Sequence, residues 1–566
     1  MADTPSDPYQ DWSRDRLLER IRELEQGLEP QAPPAPPKNK KPKTAAPGGN
    51  PQPPPKQKQP KKKKGLDPSK YSTRFIALKL AYLGKRYGGF EYQPNVPVPS
   101  IEEELWRALV RSCLIWPDDP DKIDFAPWGY SKCGRTDRGV SAFGQVVALR
   151  VRSNRPVKKE DEGEEMAVDG GGADDGKPAW DPIADEINYP RVLNRLLPPD
   201  IRVLAWAPTL PANFSARFSC RERQYRYFFT QPAFSPLPGR ALDPTNGRPG
   251  AEGWLDIEAM RQAAKLFEGV HDFRNVCKID GAKQISNFTR RVFEADIVEV
   301  EDAASALPYV LGSDFRPEGM ALDGKTHPKV YYFHVRGSAF LWHQIRHMVA
   351  ILFLVGQGLE KPSVVTELLD VERNPRKPNY QMADEVPLVL WDCIFPKLDE
   401  GGSGSGRSTP EVHQADAEVD LNLKDSIDWV WLGEDKPLSL HGGTGLVDQL
   451  WATWREHKMD ELLAGQLLDA VARQADLSRR LAEPAGGEKM STSQRVFEGG
   501  NSARSAGAYV PVMKKQLMPS PEEVNEKWAQ SKGFASAEEL ANTKNWRSVM
   551  KAKKAAAEGA ATSIEE

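Results

Sequence analysis

Between Tyr71 and Phe395 the chain alternates short apolar runs with turn residues, and the runs differ in period. Phe75–Tyr82 (Phe-Ile-Ala-Leu-Lys-Leu-Ala-Tyr) predicts a strand, and Gly84–Gly89 the turn beyond it. Ser100, followed three residues later by Glu103, forms a capping box and predicts a helix over Ile101–Cys113. Further strands are expected at Gln145–Val151, Ile201–Trp206, Gln224–Thr230, Val292–Val300 and Val330–Val335, with a closing strand in Pro387–Phe395. Helices are expected at Asp256–Gly269, Ala339–Val355 and Ser363–Val371. The strands interleave with few helices and look antiparallel, so the pattern predicts an α+β fold rather than a doubly wound parallel sheet.

Outside this stretch, and at one insertion within it, the pattern changes. Leu17, Ile21, Leu24 and Leu28 give Trp12–Leu28 a heptad-like stripe, suited equally to a short coiled coil or to a helix packed on its own domain. From Lys38 to Lys64 there are ten lysines and no acid. That arm is a solvated linker, or a nuclear-import or RNA-attracting segment ending in Lys61–Lys64. Val157–Lys177 is acidic and Gly-rich, the composition of a surface insertion. Gly401–Gly406 (GGSGSG) marks a linker, and helical patches follow at Leu446–Leu481 and Ser520–Lys532. The second patch has Ser520 as N-cap, Pro521 at the first helical position and Gly533 past the end. The final run, Lys551–Glu566, should fray. The expected organisation is a coiled-coil-like helix and disordered arm over 1–70, a catalytic domain over 71–398 with a disordered insertion at 157–178, and a linker with a partly helical extension over 399–566.

Composition agrees with folded and unfolded parts. The 566 residues exceed what one core usually serves, and Gly 44 with Pro 48 make up about a sixth of them. Hydrophobic content is only 39 %, yet Trp 15, Phe 20 and Tyr 14 suffice for a real core. The net charge of -3 hides local asymmetry such as the lysine arm. No run approaches the ~20 apolar residues of a membrane span, and the acidic N-terminus lacks the apolar region of a secretory signal. Five scattered cysteines without a C-x-x-C pair read as reduced, intracellular usage, and predict neither a disulfide frame nor a zinc site.

Three stretches could carry chemistry. In Lys132-Cys-Gly-Arg-Thr-Asp-Arg-Gly-Val, Asp137 sits in a Gly-bounded turn between Arg135 and Arg138, which favours an ionised carboxylate presented as nucleophile or base. Taken alone, such an Asp more often just turns the chain. In Arg217-Phe-Ser-Cys-Arg-Glu-Arg-Gln-Tyr225-Arg-Tyr227, cations interleave with rings, which suits RNA phosphates and bases; the plainer reading is an amphipathic strand with Tyr225 inside. In Gly337-Ser-Ala-Phe340-Leu-Trp-His343-Gln-Ile-Arg346-His347, Arg346 is embedded in an apolar helix and needs a carboxylate partner. His343 and His347 stand at i and i+4, but no H-E-x-x-H motif or third ligand accompanies them, which argues against a metal. With no Walker A loop or nucleotide fingerprint, no cofactor is expected.

Together these stretches resemble the TruA-type tRNA pseudouridine synthases. Gly134-Arg-Thr-Asp137-Arg-Gly-Val with Gln145-Val-Val resembles that family's defining motif. Tyr82-Leu-Gly-Lys-Arg-Tyr87-Gly-Gly-Phe, Ala216-Arg-Phe through Tyr227, Ala339-Phe-Leu through Arg346, and Pro387-Leu-Val-Leu390 follow in the family's order over about 320 residues. His271-Asp-Phe-Arg-Asn275-Val-Cys277-Lys-Ile-Asp280 and the N-terminal helix with its lysine arm resemble the eukaryotic branch that modifies positions 38 and 39 of the tRNA anticodon arm. The acidic insertion and the chain beyond Leu398 depart from the bacterial pattern.

The resemblance implies that Asp137 is the catalytic aspartate, Arg346 its partner and Tyr225 the ring stacked on the target uracil. Arg135 would replace the flipped base, and Leu388 would line the uracil pocket. Arg138, Tyr227 and Phe340 fall within the motifs as further substrate-binding candidates. It implies two similar α/β halves joined into one extended, mostly antiparallel sheet with a basic cleft, a cofactor-free isomerisation of uridine in tRNA, and a homodimer. The lysine arm adds an expectation of nuclear as well as cytoplasmic location. The sister branch acting on other tRNA positions, a non-catalytic tRNA-binding protein of the same fold, and an Asp-dependent hydrolase or transferase remain the alternatives.

Overall fold

The computed structural model describes residues 66–156, 180–236 except 212, 252–301, 328–396, 424–434, 445–474 and 494–550 except 544, 545, 547 and 549. The expected heptad helix, the lysine arm, the acidic insertion, the GGSGSG linker and the terminal run lie outside them.

In chain order the elements are β1 (Ser72–Tyr82), α1 (Ile101–Arg111), β2 (Ser131–Lys132), β3 (Ser141–Ser153), α2 (Tyr189–Asn194), β4 (Ile201–Ala207), β5 (Glu222–Gln231), α3 (Ile257–Lys265), β6 (Gly269–Asp272), β7 (Thr289–Glu299), β8 (Lys329–Gly337), α4 (Gln344–Gly356), α5 (Val364–Leu369), β9 (Leu388–Ile394), β10 (Val430–Trp431), α6 (Leu446–Gln474), β11 (Arg495–Val496), β12 (Arg504–Ser505), α7 (Pro521–Ser531) and α8 (Ala537–Asn542). Ten strands form one sheet in the order β10-β4-β1-β3-β9-β5-β8-β7-β6, with β2 beside β3. Every pairing in it is antiparallel except β3 with β9, which run parallel over just Ser141↔Val389 and Ala142↔Leu390. The α+β expectation holds in this form: a large, mostly antiparallel sheet with helices packed on it.

Two apolar clusters flank that short parallel seam. One gathers β1, β3, β4, α1 and α2 around Leu78, Val147, Trp106 and Trp206. Its helix α1 starts where the capping box lies: Ser100 Oγ accepts from Glu103 N, and Glu103 reaches back to Ser100 N. The other cluster forms around α4, buried along its entire length, with Tyr227, Phe333 and Met260. Gly356 lets α3 close on α4, since a Cβ there would come within 2.6 Å of Met260 Sδ.

Beyond residue 398 the chain returns to this second cluster. Val496, Phe497 and Val512 are part of it, and Phe497 stacks edge-on against Phe353 at 4.9 Å. The α7 helix has its expected cap, with a complete Ser520–Glu523 box.

Candidate active site

Asp137 is presented by the turn between β2 and β3, and that turn is clamped on two sides. Buried Gln145 accepts from Gly134 N (3.1 Å) and donates to Gly134 O (2.9 Å). From β1, Tyr82 Oη lies 2.7 Å from Thr136 Oγ1, and Phe90 N donates to Thr136 O at 3.1 Å. Gly89, at φ 111°, permits this approach: a Cβ there would stand 3.0 Å from Thr136 O. The predicted Gly84–Gly89 turn thus becomes the support of the Asp137 loop.

The Asp137 carboxylate meets the start of α4. His343 Nε2 lies 3.2 Å from its Oδ2, and Trp342 Nε1 donates to Oδ1 at 3.1 Å. Burial pushes the Asp137 pKa up, but the hydrogen bond and charge of His343, the indole N–H and the field of Arg346 together hold it below the usual value. His343 Nδ1 is buried without a partner among the described residues, so the tautomer suited to the contact carries its proton on Nε2.

His343 itself is left-handed (φ 59°, ψ 12°), a conformation costing about 1–2 kcal/mol outside glycine. Its carbonyl is fixed in return, accepting from His347 N (3.1 Å) and Nδ1 (2.9 Å). This residue explains a difference from the sequence reading. The helix starts at Gln344 rather than Ala339, because a left-handed residue cannot continue an α-helix. Residues 339–343 instead carry Phe340, Trp342 and His343 along the cleft wall.

Arg346 also differs from its expected partnership. Its Nε donates to Ala383 O at 2.7 Å and its other nitrogen pairs with Glu385 Oε2 at 2.7 Å. Asp137 feels its charge but receives its direct contacts from His343 and Trp342, which precede Arg346 on the chain and occupy the carboxylate. The two histidines are not a chelating pair: His343 faces Asp137, while His347 Nε2 sits 2.6 Å from Lys377 Nζ.

Tyr225 on β5 is half-buried on the cleft wall, its ring edge-on to Phe340 at 5.3 Å and 83°. Leu388, at the start of β9, lines the same space. Tyr227 does not. It is 1 % exposed, packs on Phe353 and donates its hydroxyl to Gly499 O at 3.1 Å, because α4 and the returning C-terminal chain cover it. Arg135, with Nε 3.2 Å from Glu91, and Arg138 stand exposed at the rim.

The cleft measures about 1260 Å³ and is lined by eight Lys or Arg side chains against three carboxylates. Such an excess of positive charge favours a polyanion. Sequence reading missed Trp342, His343 and Glu385 as working residues, and also the cations over Trp342: Lys278 and Lys283 lie 4.5 and 4.7 Å from its ring. The signal present was the Trp342-His343 pair inside the third motif, which helical periodicity had absorbed.

A model of the tRNA pseudouridine synthase family matches residues 263–396, the segment holding α4 and the start of β9. A Saccharomyces cerevisiae protein named tRNA pseudouridine(38/39) synthase is 38% identical over 396 residues, 69% of this chain and 72% of that one. This chain belongs to the tRNA pseudouridine synthase family. It is 41% identical to the mouse tRNA pseudouridine(38/39) synthase over 381 residues, 67% of this chain and 66% of the mouse protein. It thus spans about two thirds of the length of these eukaryotic synthases. A tRNA pseudouridine synthase A from Methanothrix thermoacetophila is 30% identical over 327 residues, 57% of this chain and 84% of the archaeal synthase.

Proposed function

We propose that this chain converts uridine to pseudouridine in the anticodon stem-loop of tRNA, at positions 38 and 39. The observation that carries the reading is Asp137 held by His343 and Trp342 in a basic cleft, in a chain similar to synthases named for those two positions.

In this reaction the bond from the ribose anomeric carbon to uracil N1 breaks, the base turns within the pocket, and C5 joins the anomeric carbon. C5 then loses its proton and N1 gains one, so the product is an isomer and no acceptor is consumed. Asp137 acts on the ribose, by attack on the anomeric carbon or by taking a ribose proton; both routes use the carboxylate, which His343 and Trp342 keep charged and aimed. The uridine must leave its stack, at a cost of a few kcal/mol. Stacking on Tyr225 returns about 1–3 kcal/mol of it, with Phe340 and Leu388 closing the apolar side. Arg135 and Arg138 are placed to hold phosphates or fill the gap left by the base.

The wider reading is a sheet of two similar halves meeting at the β3–β9 seam and a homodimer located in nucleus and cytoplasm. Apolar residues exposed along α6, among them Trp451, Trp454, Leu463 and Leu467, support association of two copies. The Lys61–Lys64 block supports nuclear entry. Among the described residues no helix is long and apolar enough to cross a membrane. Site-resolved mapping of pseudouridine in tRNA from cells lacking this chain tests the assignment. Loss at 38 and 39 alone supports it, and loss elsewhere with 38 and 39 intact overturns it.

A further inference from the structure

Three of the five cysteines, far apart in sequence, come together. The Sγ atoms of Cys133, Cys220 and Cys393 all lie within 4.8 Å of one another, and the three residues are buried. Three thiolates on a tetrahedral ion with Zn–S near ~2.3 Å would sit about 3.8 Å apart, inside that limit. No two of the three are close enough along the chain to form a ligand pair, so spacing alone does not reveal the cluster.

Beside them lies Arg223, one of the cations that line the cleft. Arg223 donates to Ser338 O, Cys133 O and Arg217 O, carbonyls only, and among the described residues it pairs with no carboxylate. It holds the carbonyl of Cys133 and pairs across the strands with Cys393, so its charge is anchored beside the cluster. A divalent ion on three thiolates carries one net negative charge, which one guanidinium cancels. A monovalent ion would leave two negative charges against it. Soft thiolate donors and this charge count favour a divalent ion such as zinc.

The position also gives such an ion a purpose. Cys133 is tied to β3 through Cys133 N to Val146 O (2.8 Å), while Cys393 on β9 pairs in register with Arg223 on β5 and Cys220 leads into β5. The sulfurs therefore bridge the seam that β3 and β9 hold with two register pairs. They also precede Asp137 by four residues, precede Tyr225 by five and follow Leu388 by five.

We propose that Cys133, Cys220 and Cys393 form a structural zinc site that fastens the catalytic loop, the Tyr225 strand and the Leu388 strand to one another. The ion would take three thiolates and one further donor, with Arg223 as its counter-charge.

The test is metal content and spectroscopy of the full chain, neither of which depends on activity. The chain purified without chelators should hold close to one zinc per chain. Exchange into Co²⁺ should give the sulfur-to-cobalt charge-transfer and visible d–d bands of a tetrahedral thiolate site. Cys220→Ala or Cys393→Ala should abolish both, whereas Cys113→Ala, Cys277→Ala and Asp137→Asn should leave both in place. Chelation should lower the melting temperature of the unaltered chain. A native chain that is folded, holds no zinc and gives no cobalt bands overturns the site, and so does zinc retained in both cluster variants. The cobalt spectrum of the unaltered chain decides the matter even if a cysteine variant fails to fold.

Discussion

His343 Nε2 stands 3.2 Å from Asp137 Oδ2, while Arg346, three residues further along, spends its charge on Glu385 at 2.7 Å. The aspartate therefore has a close neutral-or-cationic donor and a more distant fixed cation. These two partners should be separable by mutation.

Removing the donor should move the acid limb of the pH profile. Asp137 is held below its ordinary pKa, and His343 is the first of the groups that lower it against burial. In His343→Ala the carboxylate should protonate at higher pH, so kcat/KM should begin to fall at higher pH. The linked stability has the same sign: it is present above the unfolded carboxylate value near ~3.9 and lost as pH falls through the folded one. An acid limb that does not move contradicts the role of His343.

Releasing the cation should do the opposite. Glu385→Gln leaves Arg346 without its anion and strengthens its field at Asp137, so the acid limb should move to lower pH. Arg346→Ala should destabilise by about 1–3 kcal/mol, below the ~3–5 of a fully buried pair because Glu385 is one-third exposed. Denaturant midpoints measure the second effect and initial rates across pH the first.

Lys377 offers a second pH signature, on stability alone. Burial pushes its pKa down to about 7, and its amine contacts Cys277 O at 2.7 Å and His347 Nε2 at 2.6 Å. Between pH 7 and the unfolded value near ~10.4 the unfolded chain binds a proton that the folded chain does not. Stability should therefore rise with pH across that window. In Lys377→Met the rise should disappear; denaturation at pH 7 and pH 9 compares the two.

Tyr225 should be tested by ring against no ring. Tyr225→Phe keeps the stacking face and should retain most of kcat/KM. Tyr225→Leu should lose about 1–3 kcal/mol, roughly 5- to 150-fold, while its edge contact with Phe340 is also lost. Equal effects of the two changes would assign the role to the hydroxyl instead.

Much of this arrangement was legible in the sequence because its signals are local. The Ser100–Glu103 and Ser520–Glu523 boxes fixed two helix starts, and the apolar runs located all but the shortest strands of the sheet. Asp137, Tyr225, Phe340, Leu388 and Arg346 do line one cleft. What stayed hidden depends on non-local geometry. Nothing local announces that His343 adopts a left-handed conformation and so turns toward Asp137, or that Glu385 reaches Arg346. Tyr227 shares the face of Tyr225 by strand periodicity, but residue 499, from a segment expected to be an extension, closes over it. The three cysteines converge only once β3, β5 and β9 are adjacent.

Under the proposed function, the charge on Asp137 performs the isomerisation. Asp137→Asn keeps the size of the side chain and can still accept from Trp342, so folding and tRNA binding should persist. Tritium release from 5-tritiated uridine in tRNA measures the reaction directly. Release should be undetectable for Asp137→Asn, with tRNA affinity within a few fold of the unaltered chain. More than trace release would contradict it.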